Sequence, residues 1–346
     1  MAASEIDKRK QEHIDINLNY DVSSSLNNGF DAYYFNHEAL PEFDLEAVDT
    51  TVQLFGKTLK IPLLISSMTG GIDRAVEINR RLAEAAQHCG IAMGVGSQRP
   101  ALADPMLKDS YQLRRYAPDA LLFANIGAVQ LNYEWQVSDC QRAVDMLEAD
   151  ALILHLNPLQ EALQPEGNTR FEGLANKIAE VCRKLEVPVI AKEVGWGISG
   201  RTAALLQDAG VIAIDVAGAG GTSWSQVEMY RQDDSVMHET AAAFRSWGLT
   251  TLESIKLVKQ SAPGCLIFAS GGITNGIDSA KCIALGANLC GMAGKFLHAA
   301  MHSSEETFRI IRTFEMQLRI AMFAAGIRAV GELRGTSQLH CRERYQ

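Results

Sequence analysis

Eight short apolar runs recur along this chain, at 61–65, 91–95, 120–124, 151–156, 187–191, 211–216, 265–269 and 287–290. Several are apolar throughout, as expected of strands buried on both faces of a parallel sheet. Helical patterns lie between them. Ile78, Leu82, Ala85 and Ala86 recur at helical spacing before Cys89-Gly90, and Leu174, Ile178, Val181, Cys182 and Leu185 do so before Pro188. Eight β-α units in about 250 residues predict one (β/α)8 TIM barrel rather than two domains. The expected fold is therefore α/β, a single domain over residues 1–346. Two regions fall outside the rhythm. Residues 1–59 form an N-terminal extension, with a hairpin expected over 52–59, and residues 222–247 form a long loop after strand six. Long β-α loops lie at the catalytic end of a barrel, so the second is a candidate lid, or else a subunit contact.

The last two runs are each followed by a glycine signal, Ser270-Gly271-Gly272-Ile273 and Gly291-Met292-Ala293-Gly294. Glycine lets backbone approach an anion closely, and the helix beyond presents free N–H groups. A phosphate site after strands seven and eight is a habit of this barrel. The formal net charge is −9, which argues against a general nucleic-acid or acidic-membrane surface and requires any phosphate site to gather its own cations. The seven cysteines are scattered without a C-x-x-C pair, as in reduced cytoplasmic proteins. The first residues are polar and charged, unlike a signal peptide, and no apolar stretch has the length of a membrane span.

Barrel active sites are built from strand C-termini. Here those positions carry Ser66-Ser67-Met68-Thr69-Gly70-Gly71, Gly96-Ser97-Gln98-Arg99, Asn125-Ile126-Gly127, His155 through Glu161, Lys192-Glu193, and Gly218 through Thr222. Lys192 ends an apolar run, where a charge needs a partner or an aqueous pocket. It can stabilise an anionic cofactor, form a Schiff base, or pair structurally with Glu193 or another carboxylate. His155 can bind phosphate, act as acid or base, or sit satisfied in the core; Asn157, Gln160 and Glu161 beside it favour function. Glu161 is a candidate Mg²⁺ ligand, since that ion takes one or two carboxylates and completes its shell with water and phosphate. His298 and His302 are four apart, a zinc-pair spacing, but lack an evident third ligand. Lys8-Arg9-Lys10, on composition alone, reads as a solvated charge run.

Together these segments resemble the type 2 isopentenyl-diphosphate isomerases, FMN-dependent TIM-barrel enzymes. The resemblance runs from about residue 8 to residue 335 and is carried by Arg9-Lys10-x-x-His13-Ile14, Ser66-Ser67-Met68-Thr69-Gly70-Gly71, Gly96-Ser97-Gln98-Arg99, His155-Leu156-Asn157-Pro158-Leu159-Gln160-Glu161, Lys192-Glu193-Val194-Gly195 and Gly220-Gly221-Thr222-Ser223. It implies FMN contacts at Ser67, Met68, Thr69, Ser97, Asn125, Lys192 and Thr222. The flavin phosphate would lie at Gly271, Gly272, Ile273, Ala293 and Gly294. Substrate contacts would come from Arg9, Lys10, Ser97, Gln98, Arg99, His155, Asn157 and Gln160, so that the extension contributes to the site. It further implies Mg²⁺ on Glu161, catalytic roles for Gln160 and Lys192, and no role for Ala217. The implied reaction is a 1,3-allylic proton shift between isopentenyl and dimethylallyl diphosphate, in isoprenoid biosynthesis. It uses reduced FMN, with NADPH as reductant, in a cytoplasmic homo-oligomer (tetramer or octamer).

Two other readings compete. An FMN-dependent 2-hydroxy-acid oxidase or dehydrogenase wants a His base and carboxylate-binding Arg near strand seven, and Ser270-Gly271-Gly272 brings neither. A non-catalytic flavin-binding scaffold does not require Lys192, His155, Gln160 and Glu161 together.

Overall fold

The computed structural model describes residues 3–68, 70–71 and 73–342. Helix α1 (Ala3–Asn19) is followed by strand β1 (Tyr33–Phe35) and the hairpin β2 (Val52–Leu54) and β3 (Lys57–Leu59). The alternation then begins: β4 (Leu63–Ile65), α2 (Asp73–Cys89), β5 (Ala92–Gly94), α3 (Arg99–Ala103), β6 (Leu121–Gly127), α4 (Val137–Leu147), β7 (Ala151–His155), α5 (Pro158–Leu163), α6 (Leu174–Lys184), β8 (Val189–Lys192), α7 (Gly200–Asp208) and β9 (Ala213–Asp215). Next come α8 (Trp224–Met229), α9 (Ser235–Ala243), α10 (Thr251–Ser261), β10 (Leu266–Ala269), α11 (Gly276–Leu285), β11 (Leu289–Met292), α12 (Gly294–His302), α13 (Ser304–Ala324), α14 (Val330–Leu333) and β12 (Leu339–Cys341).

Strands β4 to β11 form one closed parallel barrel, each of the eight expected runs supplying one strand. Closure is made by β11 on β4, with Gly291 opposite Leu64. The barrel interior is filled by alternate strand residues such as Leu64, Phe123, Ile153 and Phe268; Phe123 and Phe268 stack with ring centroids 6.1 Å apart. The expected hairpin β2–β3 plugs one end of this interior, placing Phe55 against both rings. The opposite face of each strand packs on the helix ring, so both faces are apolar.

Two strands run further than their apolar runs. Strand β6 continues to Gly127 because it pairs with β7 as far as Gly127 opposite His155. Strand β11 continues to Met292 on β4, so Gly291 is a strand residue and only Ala293-Gly294 begin the next helix. The long loop after strand six is mostly helical, formed by α8 and α9. Strand β1 pairs antiparallel with β12, joining the N-terminal extension to the C-terminal segment. Among the described residues, no helix is long and apolar enough to cross a membrane.

Candidate active site

A cavity of about 540 Å³ opens at the C-terminal ends of the barrel strands, and α1 forms part of its wall through Arg9, Lys10, His13, Ile14 and Asn17. Arg9 and Lys10 of the charge run are thus cavity wall, while Lys8 stays solvated. Arg9, Lys10, Arg99 and Lys192 all reach this space, which gathers positive charge in an acidic chain. Its effect is visible at His155, whose pKa is pushed down to about 4 by burial and then by Lys192, Arg9, Lys10 and Arg99. Arg99 is itself pulled below its usual value by burial and by Arg9. Lys10 Nζ bonds to Gly70 O, to Ser97 O at 3.0 Å and to Tyr111 Oη at 3.0 Å. It therefore also fastens α1 to the loops after β4 and β5.

His155 ends β7. Its Nδ1 lies 2.8 Å from Asn125 Oδ1, an oxygen that only accepts, so Nδ1 carries the proton and Nε2 is left for the cavity. Asn125 is held in turn by Gln98, which accepts from the Asn125 N–H at 2.9 Å and donates to Ala143 O at 2.8 Å. Gln98 is fully buried with its amide turned away from the cavity. Its expected substrate contact is therefore corrected: the side chain supports the wall, while its neighbours Ser97 and Arg99 line it.

Lys192 is buried at the end of β8. Its ammonium donates to Glu193 O at 2.9 Å and lies 3.5 Å from Asp215 Oδ2. The pairing carboxylate is thus Asp215, the register neighbour of Lys192 on β9. Glu193 instead accepts N–H bonds from Val194, Gly195 and Trp196, and its pKa is raised to about 7 by burial despite them. Asp215 is fully buried and accepts from Ser270 Oγ at 2.5 Å. A carboxylate inside an apolar run was the available sequence signal for it.

Asn157, Gln160 and Glu161 enter from the start of α5. The Gln160 amide accepts from Asn157 Nδ2 at 3.1 Å and donates to Glu228 Oε1 at 2.9 Å. Glu228, on α8, has no solvent exposure and was missed in the sequence because its partners His13 and Gln160 lie 215 and 68 residues away in the chain. It also meets His13 Nε2 at 3.1 Å and Arg231 Nη1 at 2.6 Å. Burial opposes the charge of Glu228, but His13, Arg231 and Gln160 outweigh it and hold the pKa at about 2. His13 is shifted down, by burial first, and its ring stands edge-on to Trp224 at 5.0 Å. Glu161 accepts from Asn157 Nδ2 at 3.0 Å, and from Gln164 Nε2 and Asn168 N at 2.6 Å each.

Ser67, Met68, Ser97, Asn125, Thr222, Gly271, Gly272, Ile273, Ala293 and Gly294 also line the cavity; Thr69 lies outside the described residues. Gly271 and Gly272 have φ of 105° and 70°, and a Cβ on either would collide with the backbone of Gly218 or Gly220. Among the described residues, the hydroxyls of Ser66 and Ser67 and the Asn157 Oδ1 are buried polar atoms without a hydrogen-bond partner. Buried polar groups of this kind can be satisfied by a ligand, an ion or a water. Ser66 and Ser67 with the glycine cradle fit a phosphorylated flavin. The Glu161 carboxylate, a hard oxygen donor at the cavity wall, fits a hard cation. His298 and His302 are exposed on α12, away from this lining.

The fold and cavity define an α/β barrel with its candidate active site at the C-terminal ends of the strands. The FMN-dependent dehydrogenase family profile matches residues 145–340. Similar solved structures include a mandelate oxidase variant with a monooxide FMN adduct, at 16% identity and TM-score 0.62 over 99% of this chain and 96% of that one. A flavocytochrome b2 variant with sulfite bound aligns at 16% identity and TM-score 0.68 over 98% of this chain and 84% of that one. At such identity these likenesses show the fold alone. The isopentenyl-diphosphate delta-isomerase of Rickettsia rickettsii (strain Sheila Smith) is 50% identical over 94% of this chain and 95% of that protein. That of Rickettsia bellii (strain RML369-C) is 50% identical over 94% and 96%. The chain belongs to the isopentenyl-diphosphate delta-isomerase family, in its FMN-dependent type 2 form.

Proposed function

We propose that this enzyme interconverts isopentenyl and dimethylallyl diphosphate by a 1,3-allylic proton shift, with reduced FMN and Mg²⁺ bound and NADPH as the external reductant. The observation that carries the reading is the Gln160 amide held by a fully buried Glu228 at one wall of a cation-rich cavity. A neutral amide aimed by a carboxylate can position an alkene and relay a proton, while the cations take the diphosphate. Bound reduced FMN supplies the acid–base chemistry at an unactivated alkene carbon that side chains perform poorly.

The residues divide the work. Arg9, Arg99 and His155 face the anion, Arg through charge-assisted bonds. His155 is neutral in the free cavity, and a diphosphate beside Nε2 opposes the repulsion of its cationic neighbours and favours the imidazolium. Glu161 would hold Mg²⁺, which would neutralise diphosphate charge. Ser67 and the Gly271–Gly272 backbone would hold FMN, with Lys192 placing its positive charge against the flavin. The 2-hydroxy-acid oxidase reading has the shared fold and the FMN-dependent dehydrogenase profile in its favour, against isomerase relatives 50% identical over 94% of the chain.

The decisive assay incubates the protein anaerobically with isopentenyl diphosphate, FMN, NADPH and Mg²⁺ and follows dimethylallyl diphosphate. Activity that requires the reduced flavin is expected. Equal turnover by flavin-free protein, or none under reducing conditions, rejects the reading.

A further inference from the structure

Arg231 lies outside the cavity lining, yet three carboxylates from three parts of the chain converge on it. Its Nε is 3.0 Å from Glu12 of α1, its Nη2 2.9 Å from Glu166 after α5, and its Nη1 2.6 Å from Glu228 of α8. The side chain is only 8% exposed. Guanidinium is the one side-chain cation whose rigid fork offers a separate N–H group to each of three acceptors. Two of those acceptors lead into the cavity. Glu228 holds both His13 of α1 and the Gln160 amide. Glu166 lies 3.6 Å from Arg9 of α1, a longer contact than the one it makes with Arg231.

We infer that Arg231 is a positioning residue that couples the seating of α1 to the aim of Gln160. By taking the charge of Glu228 it keeps that carboxylate ionised and fixed beneath the Gln160 amide. By taking Glu166 it leaves the Arg9 guanidinium free to turn to an anionic substrate. By holding Glu12 it clamps the helix that carries Arg9, Lys10 and His13. Substrate capture and alignment of the reacting amide then depend on one side chain that touches neither substrate nor cofactor. This role rests on the isomerase reading for its kinetic consequences and on the ion pairs alone for its structural ones.

The test compares wild type with Arg231→Met and Arg231→Lys, each loaded with FMN. Arg231→Met is expected to lower kcat and raise KM for isopentenyl diphosphate, each by about 10-fold or more, the range set by losing charge-assisted bonds of roughly 1.5–3 kcal/mol. Limited trypsin digestion should cleave after Lys8, Arg9 or Lys10 faster in this variant at equal FMN content. Arg231→Lys restores a point charge for Glu228 but cannot bridge three acceptors, so kcat should recover while KM stays high. If Arg231→Met fails to hold FMN, Glu12→Gln takes its place, with KM raised several-fold (about 3-fold or more) and kcat unchanged. Unchanged trypsin sensitivity, or kinetics within about twofold of wild type, overturns the inference. A wild type without isomerase activity would count against the proposed function instead, and the digestion then decides the role of Arg231 alone.

Discussion

The Gln160 side chain donates to Glu228 across 2.9 Å, and Glu228 is wholly removed from solvent. A buried anion with a fixed amide above it is a preorganised arrangement whose dipole need not turn during reaction. Gln160→Leu removes the amide and leaves Glu228 to His13 and Arg231. Turnover should fall about 10- to 150-fold, equivalent to roughly 1.5–3 kcal/mol. FMN content and the Mg²⁺ requirement should stay as in wild type, and excess Mg²⁺ that rescues the variant would contradict the assignment.

Glu161 should behave differently. Glu161→Gln keeps the size and loses the charge, so the Mg²⁺ concentration for half-maximal rate should rise steeply. Titrating Mg²⁺ against rate in both folded variants separates the two neighbours. A wild-type Mg²⁺ response in Glu161→Gln would remove the metal from this residue.

Arg99 lines the cavity beside Arg9 and Glu161, whose charges act on its guanidinium in opposite directions. Arg99→Ala should cost about 10- to 150-fold in kcat/KM, from roughly 1.5–3 kcal/mol of charge-assisted bonding, with FMN affinity little changed. Loss of FMN with normal kinetics per bound flavin would reverse the assignment.

Lys192 faces Asp215 across 3.5 Å, with side chains 9% and 1% exposed. Lys192→Met should weaken FMN retention or make the bound flavin harder to reduce. It also strands a buried carboxylate, a change that costs about 3–5 kcal/mol in comparable pairs. The double variant Lys192→Met/Asp215→Asn should therefore melt above the single variant while sharing its flavin defect. Equal melting temperatures would mean that the pair is not coupled.

His155 gives the fold a pH dependence of definite sign. Its folded-state pKa is about 4 against the ordinary 6.5 of an exposed histidine, so between these values the unfolded chain binds more protons. Stability therefore rises with pH across that window and is lost on acidification from 6.5 towards 4. His155→Asn should flatten the melting-temperature profile there. The same site predicts net proton uptake when isopentenyl diphosphate binds near neutral pH, readable by calorimetry in buffers of different ionisation enthalpy. No uptake by wild type would place the diphosphate away from His155.

The barrel was legible because its strands are buried on both sides, which writes each as an uninterrupted apolar run. The hairpin plug was legible for a similar local reason, a turn between two short alternating segments. What failed to show was anything decided by distant partners. Lys8-Arg9-Lys10 looks like solvated charge until Glu166, Ser97 and Tyr111 are brought to it by the fold. Arg231 looked like part of a polar stretch, and its acceptors are 3, 65 and 219 residues away. Gln98 misled in the opposite direction. It stands between two cavity residues, Ser97 and Arg99, and backbone direction alone turns its amide into the wall.

The pairing of β1 with β12 has its own consequence. Tyr33 sits opposite Cys341, Tyr34 opposite His340 and Phe35 opposite Leu339. Immediately before this ribbon the chain crosses the rim of the barrel, where Ser24 N donates to Gly221 O at 2.8 Å and Asn28 Nδ2 to Gly272 O at 2.9 Å. A fusion partner or deletion placed near residue 340 thus falls on the ribbon whose strap leads to the Gly271–Gly272 loop at the barrel rim. Tagging strategy and catalytic integrity are one problem at that edge, although more than 300 residues of sequence separate the two strands.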